Sequence, residues 1–463
     1  MKRSFHHFRI LCVMLVPAIA HSQIDAPNLK RFGLEGESIR AIDLARAGSD
    51  YDLYAAADET GILRRNLSSP DSVWVNLGLP EKMFAALDIQ VWGAGPAVFQ
   101  TPVVAVFPNY AQGDSTLIYR LDSMHWIPSD SGIPRNRYIS IYAMASSASS
   151  RHESAGFAYA GGDNEFLFRA CTPSRQWQQL QGYLAIDGPS ILVIAINQNA
   201  ETHEVWTGGF TGLNFQPWLK KSTDFGMTWE SFSFELDLGP ENAPHSVAFH
   251  QTNPNHVYLA MMGAIIKTMD GGHSWHFTGL HDKSLVWRFH SVVIDPFDFD
   301  HIYAGGGNAS AASNGILWES FDAGKTWQEI PYHGSWVTGI IPDPFAANAI
   351  YFATLGDGVW KYTVPAVAIQ TNNPASTLSP PTFELRQNYP NPFAPASAEP
   401  FLNTTAIHYR LSRETQVTLT IYDVLGVNWN GRDQHGEHVP SGVYFCRLTA
   451  GSFAQTRKLA VVQ

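Results

Sequence analysis

The chain has 463 residues, 45% of them apolar and 13% aromatic against 15% charged, a composition that excludes an intrinsically disordered protein. Its 41 acidic against 30 basic residues give a formal charge of −11, which excludes the basic footprint of a nucleic-acid or anionic-membrane binder. Three cysteines are too few for a disulfide framework, and the length suits one large domain with a smaller one.

The N-terminus opens with Lys2, Arg3 and Arg9, then an apolar run over 10–20 that ends in Ala18-Ile19-Ala20. Basic, apolar and small segments in that order predict a cleavable secretory signal over 1–22. Its removal takes away three positive charges and no negative ones, so −11 becomes −14. No later stretch reaches the roughly 18 apolar residues a transmembrane helix needs, so no transmembrane segment is expected. Cys171 and Cys446, the cysteines beyond the signal, fall in different predicted domains and read as two lone buried thiols.

From residue 23 to 363 a rhythm dominates. Trp74, Trp126, Trp177, Trp229, Trp275 and Trp327 are spaced by 52, 51, 52, 46 and 52 residues. Between them recur short strands such as Asp52-Leu53-Tyr54-Ala55-Ala56, His256-Val257-Tyr258-Leu259-Ala260 and His301-Ile302-Tyr303-Ala304-Gly305, each followed by a Gly turn and another strand. A period near 50 with this content predicts an all-β, seven-bladed β-propeller, each repeat one four-stranded blade. Six tryptophans close six blades. The strands around 336–362 lack a terminal Trp turn, so Leu29-Lys30-Arg31-Phe32-Gly33-Leu34 is expected to supply the missing outer strand and join the two ends of the ring. Gly305-Gly306-Gly307 is expected to be a turn between strands.

Three of the Trp turns are sharper. Ser222-Thr223-Asp224-Phe225-Gly226-Met227-Thr228-Trp229 and Ser320-Phe321-Asp322-Ala323-Gly324-Lys325-Thr326-Trp327 share S-x-D-x-G-x-T-W, and Thr268 to Trp275 follows it with Ser and Thr exchanged. Asp224, Asp270 and Asp322 can accept backbone N–H bonds within their own turns, the Gly permits positive φ, and Trp229, Trp275 and Trp327 can pack between sheets. These residues are therefore expected to be structural. The turns resemble the Asp-boxes (BNR repeats) of sialidase-like and sortilin-like propellers.

Residues 364–382 turn to Pro, Ser, Thr, Asn and Ala, the composition of an extended tether. Beyond it, Asn388-Tyr389-Pro390-Asn391-Pro392-Phe393, Ile421-Tyr422-Asp423-Val424-Leu425-Gly426, Trp429-Asn430-Gly431-Arg432-Asp433 and Ser441-Gly442-Val443-Tyr444 follow in succession. The stretch 383–463 resembles the immunoglobulin-like C-terminal sorting domain of the type IX secretion system. That resemblance implies the secretion machinery as a partner and a secreted or outer-surface location after passage through the periplasm. Gly426 runs directly into Val427-Asn428-Trp429 where members of that family carry a further strand and turn, which leaves a sheet edge for another strand to cover.

Function is then a choice between enzyme and binder. A sialidase needs an arginine triad, and the only Phe-Arg-Ile, at Phe8-Arg9-Ile10, lies in the signal and lacks the following Pro. A second resemblance is to xyloglucan-cleaving glycoside hydrolases, Asp-box propellers that pair two propellers around two catalytic aspartates; this chain has one. Asp295-Pro296 and Asp343-Pro344 recur at equivalent repeat positions, which favours a turn, because glycoside hydrolysis needs two carboxylates in distinct environments. Single Asp-box propellers also resemble a photosystem-assembly type, whose compartment does not fit type IX export. The eighteen His form no H-x-x-x-H or H-E-x-x-H array, and no metal or cofactor is expected. What remains is a non-catalytic binding module for an extracellular glycan or protein, with a glycoside hydrolase as the alternative. The loops entering each inner strand would ring the channel mouth and place Glu37, Lys82, Arg137, Asp187, His245, Trp287, Arg288 and Trp336 there as ligand-binding candidates.

Overall fold

The computed structural model describes residues 28–365, apart from 48–49, 79–82, 94–99, 109–114, 123–124, 135–138, 148–155, 164–165, 172–175, 181–189, 198–199, 201, 212–214, 239–241, 283–286 and 309–313; farther on it describes 384–385, 407, 409–410, 417–423, 428–429, 441–450 and 453–461. The expected signal and residues 366–382 of the expected tether lie outside these residues; Val364, placed in the tether from sequence, instead packs into the core, its amide donating to the Asn348 carbonyl. Among the described residues no helix is long and apolar enough to cross a membrane.

Among the described residues every element is a strand. Residues 29–363 form seven four-stranded antiparallel sheets, whose first strands are Ile39–Ala47, Met83–Gly93, Ile141–Ser146, Ser190–Asn197, Pro244–Phe249, Trp287–Ile294 and Val337–Pro342. In six of them the strands lie side by side in chain order. The seventh takes its fourth strand from the other end of the chain, Leu29–Gly33 pairing antiparallel with Val359–Thr363. Each first strand packs against the first strand of the next sheet, and Val337–Pro342 packs against Ile39–Ala47, so the series closes on itself. This is the architecture of a β-propeller.

The core is divided in the same way. Seven apolar clusters fill the spaces between adjacent sheets: Tyr54 and Ile62 meet Ile89 and Val104 between the first and second, and Tyr351 and Val359 meet Leu53 and Ile39 between the seventh and first. The recurring aromatic of the second strands supplies the centre of these clusters, as with the fully buried Tyr159, Trp206, Tyr258, Tyr303 and Phe352. Each such side chain contributes roughly 1.5–3 kcal/mol by leaving water.

The turns between third and fourth strands explain the S-x-D-x-G-x-T-W pattern position by position. Asp322 Oδ1 accepts from Ser320 Oγ (2.9 Å) and the Thr326 amide (2.8 Å), while Oδ2 accepts from Thr326 Oγ1 (2.7 Å). Asp224 and Asp270 repeat the scheme with Thr228 and Ser274. The two residues after the Asp are left-handed in all three turns (φ 62° and 82°, 74° and 106°, 59° and 79°), which Gly serves at the second position and which Phe225 and Ala323 adopt at the first. The preceding sheet holds that strained residue, since Arg169, Lys221 and Lys267 donate to the carbonyls of Phe225, Gly271 and Ala323 at 2.6, 3.0 and 2.9 Å. Each turn therefore locks its own chain and the sheet before it.

The tryptophans divide by chemistry. Trp229 and Trp327 donate to Gly226 and Gly324 of their own turns, whereas Trp74, Trp126 and Trp177, whose turns lack the full pattern, reach back to carbonyls of the preceding sheet at Phe32, Leu77 and Ser129. Burial opposes ionisation of Asp322, but the hydrogen bonds from Thr326 and Ser320 outweigh it and hold the carboxyl below its usual range, so its stabilisation is lost as pH falls through that lowered value. We expect Asp322→Ala to cost about 1–2 kcal/mol near neutral pH and much less near pH 2, measured by denaturant melts at both.

Beyond the tether a four-stranded antiparallel sheet runs in the order Asn428–Trp429, Val417–Asp423, Gly442–Ala450 and Phe453–Val461. Asn428–Trp429 itself pairs with Tyr422 and Ile421, partly covering the edge expected to open after Gly426. Glu384–Leu385 pairs with Tyr409–Arg410 and is tied to the sheet by Arg457 Nε, which donates to the Leu385 carbonyl at 2.8 Å. Neither Cys171 nor Cys446 is in a disulfide; Cys446 is buried, which pushes its thiol up to about 11, whereas Cys171, expected to be buried, is half-exposed.

Candidate functional site

The first strands carry what the sequence does not announce. All seven lose register near their starts, and in six of them a single extra residue faces the second strand: Arg40, Tyr142, Leu192, His245, His290 and Thr338. The second sheet has two such shifts, between Met83 and Ala85 and between Ala86 and Asp88. A bulge frees backbone groups and re-aims side chains. The freed amides are met from the neighbouring sheet: Met144 donates to Asp88 Oδ2 (2.7 Å), Val292 to Ser246 Oγ (3.3 Å) and Ile340 to Ser291 Oγ (3.1 Å). Burial raises the Asp88 carboxyl to about 8 despite those amide bonds.

All six bulges lie at the start of an inward strand. Because successive strands are antiparallel, that end of each sheet also carries the loop between second and third strands, and the Asp turns lie at the opposite end. Three of the six re-aimed side chains are engaged locally. Arg40 Nε donates to both oxygens of Asp58 (2.8 and 3.0 Å), Tyr142 donates to Asp163 Oδ2 (2.6 Å), and Thr338 Oγ1 to the Ile39 carbonyl (2.8 Å).

His245 and His290 differ. They stand on adjacent sheets with ring centroids 4.9 Å apart, and Trp336 lies 5.8 Å beyond His290. Burial first, then His290 and Arg288 beside it, lowers His245 to about 3; burial and Arg288 lower His290 to about 4. Both imidazoles are neutral at ordinary pH. His245 Nε2 and Arg288 Nε are buried without a hydrogen-bond partner among the described residues, a state that costs about 1–3 kcal/mol for each polar group.

Glycines hold this cluster in place. The run Gly305-Gly306-Gly307 is not a turn, as expected from sequence, but the inside of strand Ile302–Asn308. A Cβ on Gly306 would stand 1.8 Å from the Arg288 carbonyl oxygen, and one on Gly307 would stand 2.1 Å from the Trp336 ring. The strand is glycine-rich because the bulge and the next sheet's indole press against it.

Of the eight residues proposed from sequence, the structure gathers His245, Arg288 and Trp336. Trp287 instead packs on Trp318 (5.3 Å) in the core between the fifth and sixth sheets. Glu37 sits in the loop joining the seventh and first sheets, its carboxylate accepting from Thr60 Oγ1 and its carbonyl from the Gly356 and Gly358 amides. Lys82, Arg137 and Asp187 lie outside the described residues. His290 escaped the sequence reading, although Pro244-His245-Ser246-Val247 and Phe289-His290-Ser291-Val292 repeat one pattern 45 residues apart.

Asp295 and Asp343 lie at the opposite end, after the first strands. Asp295 is 1% exposed; Oδ1 accepts from the Phe297 amide (2.8 Å) and Oδ2 from the Asn348 amide (2.7 Å). Asp343 repeats this with Phe345 (2.9 Å) and adds an ion pair with Lys361 (2.6 Å). Both are turn residues saturated by protein donors. Beneath Asp295, His301 is wedged between carboxylates, Nδ1 3.6 Å from Asp295 Oδ2 and Nε2 3.3 Å from Glu319 Oε2; Tyr362 and Gln328 complete the shell of Glu319 at 2.9 and 2.6 Å. Among the described residues no group of three or more His, Cys, Asp or Glu is placed to hold a metal ion.

The fold is that of known β-propellers. The GH74 enzyme of Niastella koreensis superposes with a TM-score of 0.52 at 13% identity over 93% of this chain and 60% of its own. PorZ, a bacterial surface component of the type IX secretion system of Porphyromonas gingivalis, matches at TM-score 0.46 and 14% identity over 91% of this chain and 59% of its own. YCF48 bound to a D1 peptide matches at 0.48 and 11% over 76% and 100%. The chain thus spans about six-tenths of the length of the first two, and at these identities the likeness concerns the fold alone. No protein-family model and no curated protein matches the chain.

Proposed function

We propose that the chain is a secreted or surface-held seven-bladed Asp-box propeller, residues 23–363, acting as a non-catalytic binding module for an extracellular glycan or protein. Residues 383–463 are, on this proposal, a type IX sorting domain, and 1–22 a signal removed on export. The observation that carries the binding role is the bulge-borne group His245, Arg288, His290 and Trp336, with two buried nitrogens that lack partners. Glu37, Lys82, Arg137 and Asp187 would extend the same face around the ring. A glycoside hydrolase would draw on Asp295 and Asp343, but these carboxylates are filled by amides and Lys361 at the far end of the sheets.

The test incubates the full mature chain with neutral and acidic polysaccharides and reads co-sedimentation and new reducing ends together. Retention without cleavage is expected, weakened about tenfold by His245→Ala or Trp336→Ala, in line with loss of a central contact worth about 1.4 kcal/mol. Reducing ends that vanish in Asp295→Asn or Asp343→Asn, in protein of unchanged melting point, would overturn the non-catalytic assignment.

A further inference from the structure

We propose that the cluster on the bulge face recognises a carboxylate carried on a sugar, so that the ligand is an acidic, uronate-type polysaccharide. The inference rests on the binding role above and names its chemistry.

Arg288 is the reason. The chain is acidic, yet among the described residues no carboxylate lies within ion-pair distance of the guanidinium of half-buried Arg288; the ion pairs there involve Arg40, Arg64, Arg120, Lys221, His273, His301 and Lys361 instead. Its Nε is a buried donor with nothing to donate to. A planar, permanently charged fork is matched by a carboxylate, which its two terminal nitrogens can take end-on in two parallel N–H···O bonds, with the buried Nε behind them. Its backbone is fixed, because the Arg288 carbonyl is pressed onto Gly306, so the fork is presented from a rigid strand.

The neighbours select the rest of the ligand. Neutral imidazoles at His245 and His290 each offer one N–H donor and one bare nitrogen, the pair of functions that a sugar hydroxyl answers in both senses. His245 Nε2 is one such nitrogen without a partner. Trp336 is half-buried, its ring lying on Gly307, and an indole beside polar groups is suited to the C–H face of a pyranose. Guanidinium, imidazoles and indole together fit carboxylate, hydroxyls and ring of one uronate residue. An acidic peptide would use the guanidinium and leave the imidazoles with no matching hydroxyls.

The full chain is titrated with polygalacturonate, with the same polymer after methyl esterification of its carboxyls, and with poly-glutamate. Polygalacturonate is expected to bind at least tenfold more tightly than its ester and than poly-glutamate. Arg288→Gln should abolish the difference between acid and ester while Arg288→Lys keeps part of it, and thermal melts establish that the variants are folded. Equal binding of acid and ester would overturn the carboxylate assignment and leave glycan binding standing. Tighter binding of poly-glutamate would overturn the glycan assignment in favour of a protein ligand, and no binding of any polymer would overturn the carboxylate assignment together with its glycan.

Discussion

His301→Ala should be among the most damaging single changes in the propeller, costing about 3–5 kcal/mol, because it removes the cation between two buried carboxylates and leaves Asp295 and Glu319 with neutral donors alone. Asp295 and Glu319 are each 1% exposed and His301 is fully buried. In a domain of this size that loss lowers the melting temperature by on the order of 10 °C, read by circular dichroism. The pH dependence has a definite sign. Burial alone would push the imidazole down, but hydrogen bonds and charges from Asp295 and Glu319 outweigh it and raise the folded value above 6.5. Such a group contributes fully below the unfolded pKa, and its contribution is lost as pH rises through the folded one. The parent protein should therefore lose stability on going from pH 6 toward alkaline conditions, and His301→Ala should flatten that slope. An unchanged slope would mean that His301 is held neutral.

Gly306→Ala is the second. The added methyl would meet the Arg288 carbonyl oxygen at 1.8 Å and the Phe289 Cα at 2.9 Å, backbone atoms that no rotamer change can move aside. We expect a cost of about 3 kcal/mol or more, above the usual range for overpacking, together with loss of polysaccharide retention, since Arg288 and His290 ride on the strand that must shift. The third and fourth sheets share the requirement, since a Cβ on Gly162 or Gly209 would stand 1.7 Å from the Ser140 carbonyl oxygen or 1.8 Å from that of Ser190. The fifth and seventh sheets place Met261 and Thr354 at the corresponding pairing position, opposite Pro244 and Val337, and tolerate side chains there. Retention at the parental level in a folded Gly306→Ala protein would show that the bulge does not position the site.

What could be seen in the sequence was what is local. The Trp spacing, the Ser, Asp, Gly and Thr of the turns, and the Gly after each second strand act within eight residues of one another, so their chemistry is written in order along the chain. The pairing of Leu29–Gly33 with Val359–Thr363 was legible because a blade without its fourth strand leaves an edge to be filled. The bulges were not, since a bulge is a property of two strands in register and no residue type marks it. His290 was missed for that reason, and Gly305 to Gly307 was misplaced because its glycines answer pressure from Arg288 and Trp336 rather than a need to turn. Trp287 reads from sequence like Trp336, but Trp287 opens its strand and packs on Trp318 in the core, whereas Trp336 stands one residue before its strand and packs beside His290.

The joining of Leu29–Gly33 to Val359–Thr363 also governs how the molecule is made. Thr338 reaches Ile39 across 299 residues, among the most distant contacts in the chain, and it can form only after nearly the whole ring has been synthesised. Until then the first and last sheets each lack a neighbour, and the half-built ring has two raw flanks. Folding is therefore late, and its rate is set by the meeting of remote ends. Once shut, the ring has no free end from which to unravel, so resistance to proteases should depend more on that single seam than on any blade.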